Sequence, residues 1–291
     1  MPIMTYGDNG PGASGCRDKD NSGDVMKILA LGTSCVDVYP QKNIVTPGGE
    51  ALNIAAQLSY RDDVEVFLMG MIGNDSYADA VLDSIENLDI NSDHLYRVEG
   101  ETANHIIQID QRGDRYFEHG AWQGGVSRDL VFNGENTELL SQMGAVMTTF
   151  REPNLPRLLA LRSRENFLVA VDFNDQRDFS AWEDQMDRID IFFSSAEESM
   201  KQVFQERSKS SDTIFVLTFG EHGSVAYHRG QVFESPAIPV ENVVDTTGCG
   251  DCYQAHFVAE YLKTGDIRCS MQRATLEATK VTAYVGGFCH D

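Results

Sequence analysis

Residues 240–262 read VENVVDTTGCGDCYQAHFVAEYL, which combines an apolar run, a glycine-rich loop and a helical pattern. The apolar run is typical of a strand that stops at Asp245, and the helical pattern starts near Asp251. Glycine permits positive φ, and the first amides of a helix have no acceptor within the helix, so the loop and the helix start can bind an anion. The stretch therefore predicts a strand, a loop and a helix with an anion site between them.

Asp251 would lie inside that anion site. A carboxylate beside a bound phosphate only repels it, unless the carboxylate has another task such as accepting the proton of an attacking hydroxyl. The alternative is that Asp251 merely caps the helix while Gly248 and Gly250 shape the turn. The spacing of these residues favours both interpretations equally.

Outside this unit, strand-like and helical runs alternate along the chain. The first run, VMKILALG (25–32), is apolar and ends in glycine, which suits a buried strand. Strand-like runs then each precede a helical run, in the pairs 64–73 and 76–88, 144–150 and 155–164, 166–174 and 181–189, and 190–195 and 197–207. This alternation predicts crossover units in an α/β fold, a three-layer α/β/α core with a mostly parallel sheet.

Two segments, 36–46 and 101–122, break this rhythm because their polar and apolar residues alternate with a period of two. In the second segment, QRGD (111–114) is typical of a hairpin turn. The segments predict a small antiparallel flap, or lid, outside the main sheet, which could close over a ligand. An exposed edge of the lid would allow two chains to pair as a homodimer.

The first 24 residues differ in composition from the rest of the chain. Residues 1–24 are rich in Gly, Asp, Asn and Ser and carry almost no apolar periodicity, which predicts a flexible N-terminal extension or a remnant left by cloning. Residues 25–291 are predicted to form a single domain, since their length suits one core.

The net charge of −22 argues against nucleic acid as a partner, because such binders need Lys and Arg to displace counterions from phosphates. Six cysteines without an apolar leader indicate reduced thiols and a cytoplasmic location. No apolar run approaches the roughly 20 residues of a membrane helix, so no membrane partner is expected.

Two motifs resemble those of the ribokinase-like, or PfkB, carbohydrate kinases. DTTGCGDCYQAHF (245–257) resembles the C-terminal signature Asp-Thr-x-Gly-Ala-Gly-Asp-x-Phe-x-x-Gly, and PGGEALNIAAQL (47–58) resembles the Gly-Gly-x-x-x-Asn helix start. Their order fits the family over residues 25–291. The resemblance implies a ribokinase-like fold, a small-molecule sugar and ATP as ligands, Mg²⁺ as cofactor and, in some members, K⁺.

The resemblance also implies catalytic roles. Asp251 matches the catalytic base. The amides of Gly248, Cys249 and Gly250 match the anion hole that stabilises charge on the transferred phosphoryl group.

Four residues match substrate-binding positions of the family: Asp37, Gly49, Glu50 and Asn53. From the residues alone, Asp37 could instead be a turn residue, and Asn53 could satisfy backbone groups inside the fold. In VLTFGEHGSVAY (216–227), three residues resemble the loop that holds ATP phosphates and ribose: Thr218, Gly220 and Gly223.

The implied metal positions match less closely. The magnesium-associated Asn-x-x-Glu pattern is present only as SAEE (195–198), in which Glu198 stands for the Glu and Ser195 replaces the Asn. Glu198 could equally be an exposed charge of a solvated helix. Asp245 matches a residue that helps some members of the family to hold a monovalent cation.

Three further departures concern size. Cys249 replaces the usual Ala and should still fit. His256 stands where the family prefers Gly, which puts close helix packing in doubt, and Ala78 replaces the Gly that usually ends GDDxxG.

Glu50 bears on the choice of sugar. A carboxylate at this position favours a substrate that carries hydroxyls and a positive amine, although Glu50 could also face solvent. The strings CVDVYPQ (35–41), ETANHIIQID (101–110) and DFND (172–175) look like the fructoselysine 6-kinase branch of the family. The predicted reaction is phosphorylation of a fructosamine at a primary hydroxyl.

Other functions remain as alternatives. A kinase for ribose, fructose, a ketodeoxy acid or a nucleoside would use the same motifs, and a non-catalytic binding protein would keep the fold. A nicotinamide enzyme lacks its G-x-G-x-x-G, and a Walker-type NTPase lacks its G-x-x-x-x-G-K-[ST]. The pair Cys249 and Cys252 could indicate redox or metal chemistry, and a thiol at a helix start could have a lowered pKa.

Overall fold

The computed structural model describes residues 25–109, 115–116 and 120–289. Its strands are β1 (Met26–Leu31), β2 (Cys35–Tyr39), β3 (Ile44–Gly48), β4 (Val64–Ile72), β5 (Ile90–Arg97), β6 (Asn104–Ile106), β7 (Gln108–Ile109), β8 (Arg115–Tyr116), β9 (Trp122–Gln123), β10 (Ala145–Thr149), β11 (Leu168–Asp172), β12 (Ile191–Ser195), β13 (Ile214–Thr218), β14 (Ser224–His228) and β15 (Gln231–Ser235). Its α-helices are α1 (Glu50–Ser59), α2 (Ser76–Ile85), α3 (Gly134–Leu140), α4 (Leu155–Arg162), α5 (Met200–Arg207), α6 (Cys249–Thr264) and α7 (Ile267–Val281).

The main sheet has nine strands in the order β15-β14-β13-β12-β11-β10-β1-β4-β5. From β13 to β5 every neighbouring pair is parallel, whereas β14 and β15 run antiparallel at one edge. Parallel neighbours need crossover connections, and helices supply most of them. The predicted mostly parallel sheet is confirmed.

Strand β1 shows why helices cover both faces of this sheet. Ile28 and Ala30 pack into a core with α1, α2, α6 and α7, whereas Leu29 and Leu31 pack into a second core with α3, α4 and α5. Successive side chains of a strand point to opposite faces, so a run of apolar residues needs cover on both. The predicted three-layer α/β/α core is confirmed.

A second sheet, which we call the lid, has the order β3-β2-β6-β9. β2 pairs antiparallel with β3, and β6 with β9, whereas β2 and β6 are parallel. The predicted small antiparallel sheet is therefore present, with one parallel pairing in it. β7 and β8 form a separate antiparallel pair, and the turn predicted at 111–114 lies outside the described residues.

The helix predicted at 181–189 is not an α-helix. The structure has two short 3₁₀ turns there, at Ser180–Trp182 and Met186–Arg188. Only Met186 and Ile189 of this segment are buried, which is too few for the apolar stripe of a packed helix. Trp182 instead packs edge-on against Phe173 at a centroid distance of 5.7 Å.

The strand predicted before Asp245 is also absent from the structure. Val243 and Val244 are 54% and 58% exposed, and no strand includes them. The amide of Val244 donates to the carbonyl of Thr282 at 2.8 Å, so this segment is held by the end of α7 rather than by a sheet. The apolar run has another role, described below as one wall of a cavity.

The described cysteines only partly match the predicted reduced thiols. Cys35, Cys249, Cys252 and Cys289 are free, whereas Cys269 is disulfide-bonded. None of the helices in the described ranges combines the length and the hydropathy of a membrane span.

His256, which stands where the resembled family prefers glycine, is buried on α6 and couples stability to pH. Burial lowers its pKa to about 4, and the carboxylate of Glu277 on α7 only partly opposes this. A His whose folded pKa lies below its unfolded value binds fewer protons when folded, so stability falls as pH drops below about 6.5. From pH 7 to pH 5, we expect the free energy of unfolding to fall by about 2 kcal/mol through this group.

Urea denaturation of the wild type and of His256→Gln at both pH values measures this effect. In His256→Gln, the free energy of unfolding should fall much less between pH 7 and pH 5. His222→Gln is the control, because its imidazole is 75% exposed. An undiminished decrease in His256→Gln would show that other groups cause it.

Candidate active site

Helix α6 begins at Cys249, and its N-cap is Gly248 with φ of 76°. A side chain at Gly248 would collide with Gly287, so the left-handed turn and the close contact both require glycine here. The amides of Gly250 and Asp251 have no hydrogen-bond partner among the described residues, whereas the amide of Cys249 donates to Thr246 at 3.3 Å. The loop thus presents unpaired donors, with the donor of Cys249 already in use.

A Cβ at Gly250 would meet no atom within 4 Å, so the turn opens into a cleft at this residue. The unpaired amides lie at the N-terminus of a long helix, where the helix dipole also attracts negative charge. This arrangement suits a phosphate.

The carboxylate of Asp251 does not cap α6, because no side chain caps this helix. Its Oδ2 instead accepts a hydrogen bond from Nδ2 of Asn53 on α1 at 2.7 Å. The capping interpretation of Asp251 is therefore wrong. The two sequence motifs meet at this hydrogen bond.

The pKa of Asp251 is raised well above its usual value, first by burial and then by the neighbouring carboxylates Glu50 and Asp172; the hydrogen bond from Asn53 opposes the rise. A raised pKa makes a carboxylate a stronger base when it is ionised. The environment of Asp251 thus suits proton transfer better than that of an exposed carboxylate.

Asp251 lines two cavities. The larger has a volume of ≈ 1110 Å³ and we call it the donor cavity. The smaller has a volume of ≈ 340 Å³ and we call it the acceptor cavity. Four residues line both of them: Glu50, Arg151, Gly248 and Asp251. A group that passes between the cavities would therefore pass these four residues.

The donor cavity contains the residues that the sequence predicted for ATP: Thr218, Gly220 and Gly223. Its wall includes the apolar side chains of Ile238, Val240 and Val243. These exposed side chains suit the faces of a flat aromatic base.

The acceptor cavity contains all four residues predicted for substrate binding: Asp37, Gly49, Glu50 and Asn53. Gly49 has φ of 100°, and a side chain there would come within 2.6 Å of the carbonyl of Thr33. Glycine is therefore required where the chain enters α1. The lid adds His105 and Trp122, whose rings pack edge-on at 5.8 Å.

Two predicted metal residues lie apart from this group. The side chain of Glu198 is 72% exposed, pairs with Lys201 at 2.8 Å and lines neither cavity. Asp245 is buried and accepts hydrogen bonds from the amide of Thr247 at 2.9 Å and from the amide of Gly286 at 3.0 Å. The structure gives Asp245 the task of joining the loop to the C-terminal segment.

The lowered pKa suggested for a thiol at the helix start is not found. Burial, with Asp245 and Asp251 nearby, raises the pKa of Cys249 to about 11. The pKa of Cys252 is raised further by burial. Both thiols are therefore protonated at neutral pH.

Two residues of the donor cavity were not predicted from the sequence: Arg151, which follows β10, and Asp172, which ends the adjacent strand β11. Burial raises the pKa of Asp172 to about 6, and Glu50 adds to the rise. Ligands bind at the carboxyl ends of strands in open parallel sheets. Polar residues just after predicted strands could therefore have been singled out.

A magnesium ion fits this site only as a companion of the nucleotide. Among the described residues, no three His, Cys, Asp or Glu side chains form a metal cage. Mg²⁺ in kinases is usually held by one or two carboxylates together with phosphate oxygens and water. Asp172 and Asp175 line the donor cavity and can supply such carboxylates.

The chain belongs to the pfkB family of carbohydrate kinases, whose pattern matches residues 27–169 and 135–287. It is therefore a phosphotransferase that uses an alcohol as acceptor. Among curated relatives, it is 27% identical over 270 residues to the fructoselysine 6-kinase of Escherichia coli (strain K12), covering 90% of this chain and 100% of the relative. It is also 27% identical over 271 residues to the fructosamine kinase FrlD of Bacillus subtilis (strain 168), covering 90% and 93%.

Solved structures show the same fold. The Arabidopsis thaliana ribokinase complexed with ribose and ATP superposes with a TM-score of 0.77 at 16% identity, covering 90% of this chain and 94% of that chain. The ribokinase of Cryptococcus neoformans var. grubii serotype A in complex with ADP gives a TM-score of 0.72 at 18% identity, covering 90% and 95%. The ribokinase-like fold implied by the resemblance is confirmed.

Proposed function

We propose that this kinase transfers the γ-phosphoryl group of ATP to a primary hydroxyl of a fructosamine. The observation that carries the proposal is the position of Asp251, which lines both cavities beside unpaired amides of the α6 N-terminus. Donor and acceptor bound in separate cavities would meet at a base and at an anion site.

In the proposed reaction, the sugar occupies the acceptor cavity, with Asp37 and Asn53 near its hydroxyls. Asp251 takes the proton of the attacking hydroxyl, whose oxygen forms a bond to the γ-phosphorus. The bond from that phosphorus to the bridging oxygen breaks, and ADP leaves with the electron pair. The unpaired amides of Gly250 and Asp251 would hold the negative charge of the moving group.

The nucleotide would occupy the donor cavity against the loop that contains Thr218, Gly220 and Gly223. Mg²⁺ would neutralise phosphate charge there, facing Asp172 and Asp175. Because the protein's own donors satisfy Asp245, and Glu198 lies outside the cavity, we assign neither of them a cation. Closure of the lid would exclude water and limit ATP hydrolysis.

Glu50 supports an amine-bearing acceptor. It is half-buried, begins α1 and lines both cavities. A carboxylate in such a position attracts an ammonium group and offers a neutral sugar little. The curated relatives named fructoselysine 6-kinase and fructosamine kinase agree with this choice of substrate.

Glu50→Gln tests the choice directly. We expect KM for a fructosamine to rise about tenfold, while KM for fructose changes less than about twofold, because about 1.4 kcal/mol of charge pairing is lost. Glu50 also raises the pKa of Asp251. The acid limb of kcat/KM should therefore move to lower pH in the variant.

Steady-state kinetics with both sugars between pH 5 and pH 9 measure the two effects. Glu86→Gln is the control, since Glu86 is exposed and lines neither cavity. Equal changes in KM for both sugars would exclude Glu50 as an amine ligand.

A coupled assay of ADP release over fructosamines, ribose, fructose, ketodeoxy acids and nucleosides tests the proposed function itself. The highest kcat/KM is expected for a fructosamine. A higher value for a neutral sugar or a nucleoside would move the proposal to that substrate. No turnover with any of them would contradict the proposed reaction.

A further inference from the structure

Arg151 lies at the point where the two cavities meet. It follows β10 at the carboxyl end of the main sheet, and its exposed side chain lines both cavities, like Glu50, Gly248 and Asp251. Of these four residues it is the only one with a positive charge. A phosphoryl group in transit would be bordered by this guanidinium on one side and by the α6 amides on another.

The charges around this point make a cation necessary. Glu50 lies close enough to Asp172 and Asp251 to raise the pKa of both, and Asp172 also raises the pKa of Asp251. The same carboxylates repel the γ-phosphate. Backbone amides carry only partial charges, whereas an arginine supplies a full charge and planar donors that match phosphate oxygens.

The guanidinium of Arg151 is free to bind a ligand. Its side chain has no hydrogen bond and no ion pair with any residue that the structure describes. It lies 5.0 Å from the ring centre of Phe150, an attraction that uses the face of the guanidinium and leaves its N–H donors unused. The guanidinium of Arg162, by contrast, donates two hydrogen bonds to the carboxylate of Asp190, at 2.6 Å and 2.8 Å.

We propose that Arg151 is a catalytic residue that binds the γ-phosphoryl oxygens of the nucleotide during transfer. This inference rests on the proposed function, since it takes the phosphoryl group to pass between the two cavities. Phe150 holds the guanidinium near the transfer point before the ligand binds. The arginine then compensates the charge that Glu50 and Asp251 impose on the site.

Arg151→Gln is expected to lower kcat about 10²-fold and to change KM for ATP less than about threefold, as for removal of one donor that acts in the transition state. Arg151→Lys keeps the charge but loses the planar donors, so it should retain an intermediate kcat. Guanidinium chloride should partly restore the kcat of Arg151→Ala. Arg229→Gln, whose arginine pairs with Asp212 far from both cavities, should match the wild type.

If Arg151 only screened the negative charges of the site, the kcat of Arg151→Lys would equal that of the wild type, and guanidinium chloride would not restore the kcat of Arg151→Ala. That pattern, or a kcat of Arg151→Gln within about threefold of the wild type, would overturn the proposal.

A binding measurement separates this proposal from the proposed function. Titration calorimetry compares MgADP alone with MgADP plus aluminium fluoride, a mimic of the phosphoryl group in flight. The wild type should bind MgADP more tightly when aluminium fluoride is present. In Arg151→Gln this gain in affinity should be at least about tenfold smaller, while the affinity for MgADP alone stays unchanged. This outcome would uphold Arg151 even if no sugar in the screen were phosphorylated, whereas an unchanged gain in Arg151→Gln, or no gain in the wild type, would reject it.

Discussion

Replacing Asp251 with asparagine is expected to lower kcat by about 10²-fold or more while ATP still binds with nearly unchanged affinity. The two side chains have the same shape, and the amide oxygen of asparagine can still accept the hydrogen bond that Asn53 donates to Oδ2 at 2.7 Å. What the variant loses is the ability to take a proton from the acceptor hydroxyl. The loss should therefore fall on the chemical step.

The measurement combines steady-state kinetics with calorimetric titration of ATP. Asp62→Asn is the matched control, because Asp62 is exposed and lines neither cavity. A kcat near that of the wild type would remove Asp251 from the reaction. Loss of ATP binding with an equal loss of kcat/KM would assign Asp251 to the nucleotide instead.

Much of the fold was predictable because its determinants are local. In the run Met26–Leu31, the four consecutive residues 28–31 are apolar and buried, so both faces of the strand need helices to cover them. The resemblance to a family gave Asn53 and Asp251 roles in one site, but their hydrogen bond was not predicted, since the residues are 198 positions apart in the sequence. The roles assigned to these site residues remain predictions.

The elements that were wrongly predicted share a physical cause. At 181–189 and at 240–244, apolar residues suggested regular structure, but they face an aromatic cluster and a cavity rather than a sheet or helix interface. Hydrophobic periodicity indicates that a residue prefers apolar surroundings, but it does not indicate whether a sheet, a helix, an aromatic cluster or a cavity provides them. Arg151 was missed for a related reason, since a single charged residue after a strand has no periodic signal.

The C-terminal segment is the part of the site that sequence reasoning overlooked entirely. The carbonyl of Gly287 accepts from Nε2 of Gln57 at 2.8 Å, and Phe288 is fully buried. The amide of Gly286 donates to Asp245 at the start of the loop. The segment thus connects α1 with the loop before α6, the two elements that carry Asn53 and Asp251.

Gly287→Ala is therefore expected to lower kcat by about 10²-fold. A Cβ at this residue would come within 2.6 Å of Nδ2 of Asn53, the atom that donates to Asp251, and Gly248 packs against Gly287 from the other side. An added methyl must push Asn53, Gly248 or both away, and displacements of about 1 Å at a catalytic group can cost 10²-fold in rate. Overpacking should also lower the free energy of unfolding by about 1–3 kcal/mol.

Kinetics, urea denaturation and ATP titration of Gly287→Ala distinguish a misplaced base from an unfolded protein. Gly134→Ala is the control, because a Cβ there meets no atom within 4 Å. Neither glycine has a positive φ, so the two variants differ in contacts and not in backbone strain. If the C-terminal segment positions the base, Gly287→Ala stays folded at low urea and binds ATP, yet turns over slowly at every pH. A variant with wild-type kcat would mean that Asn53 holds Asp251 without support from the segment, because the added methyl would then have been accommodated elsewhere.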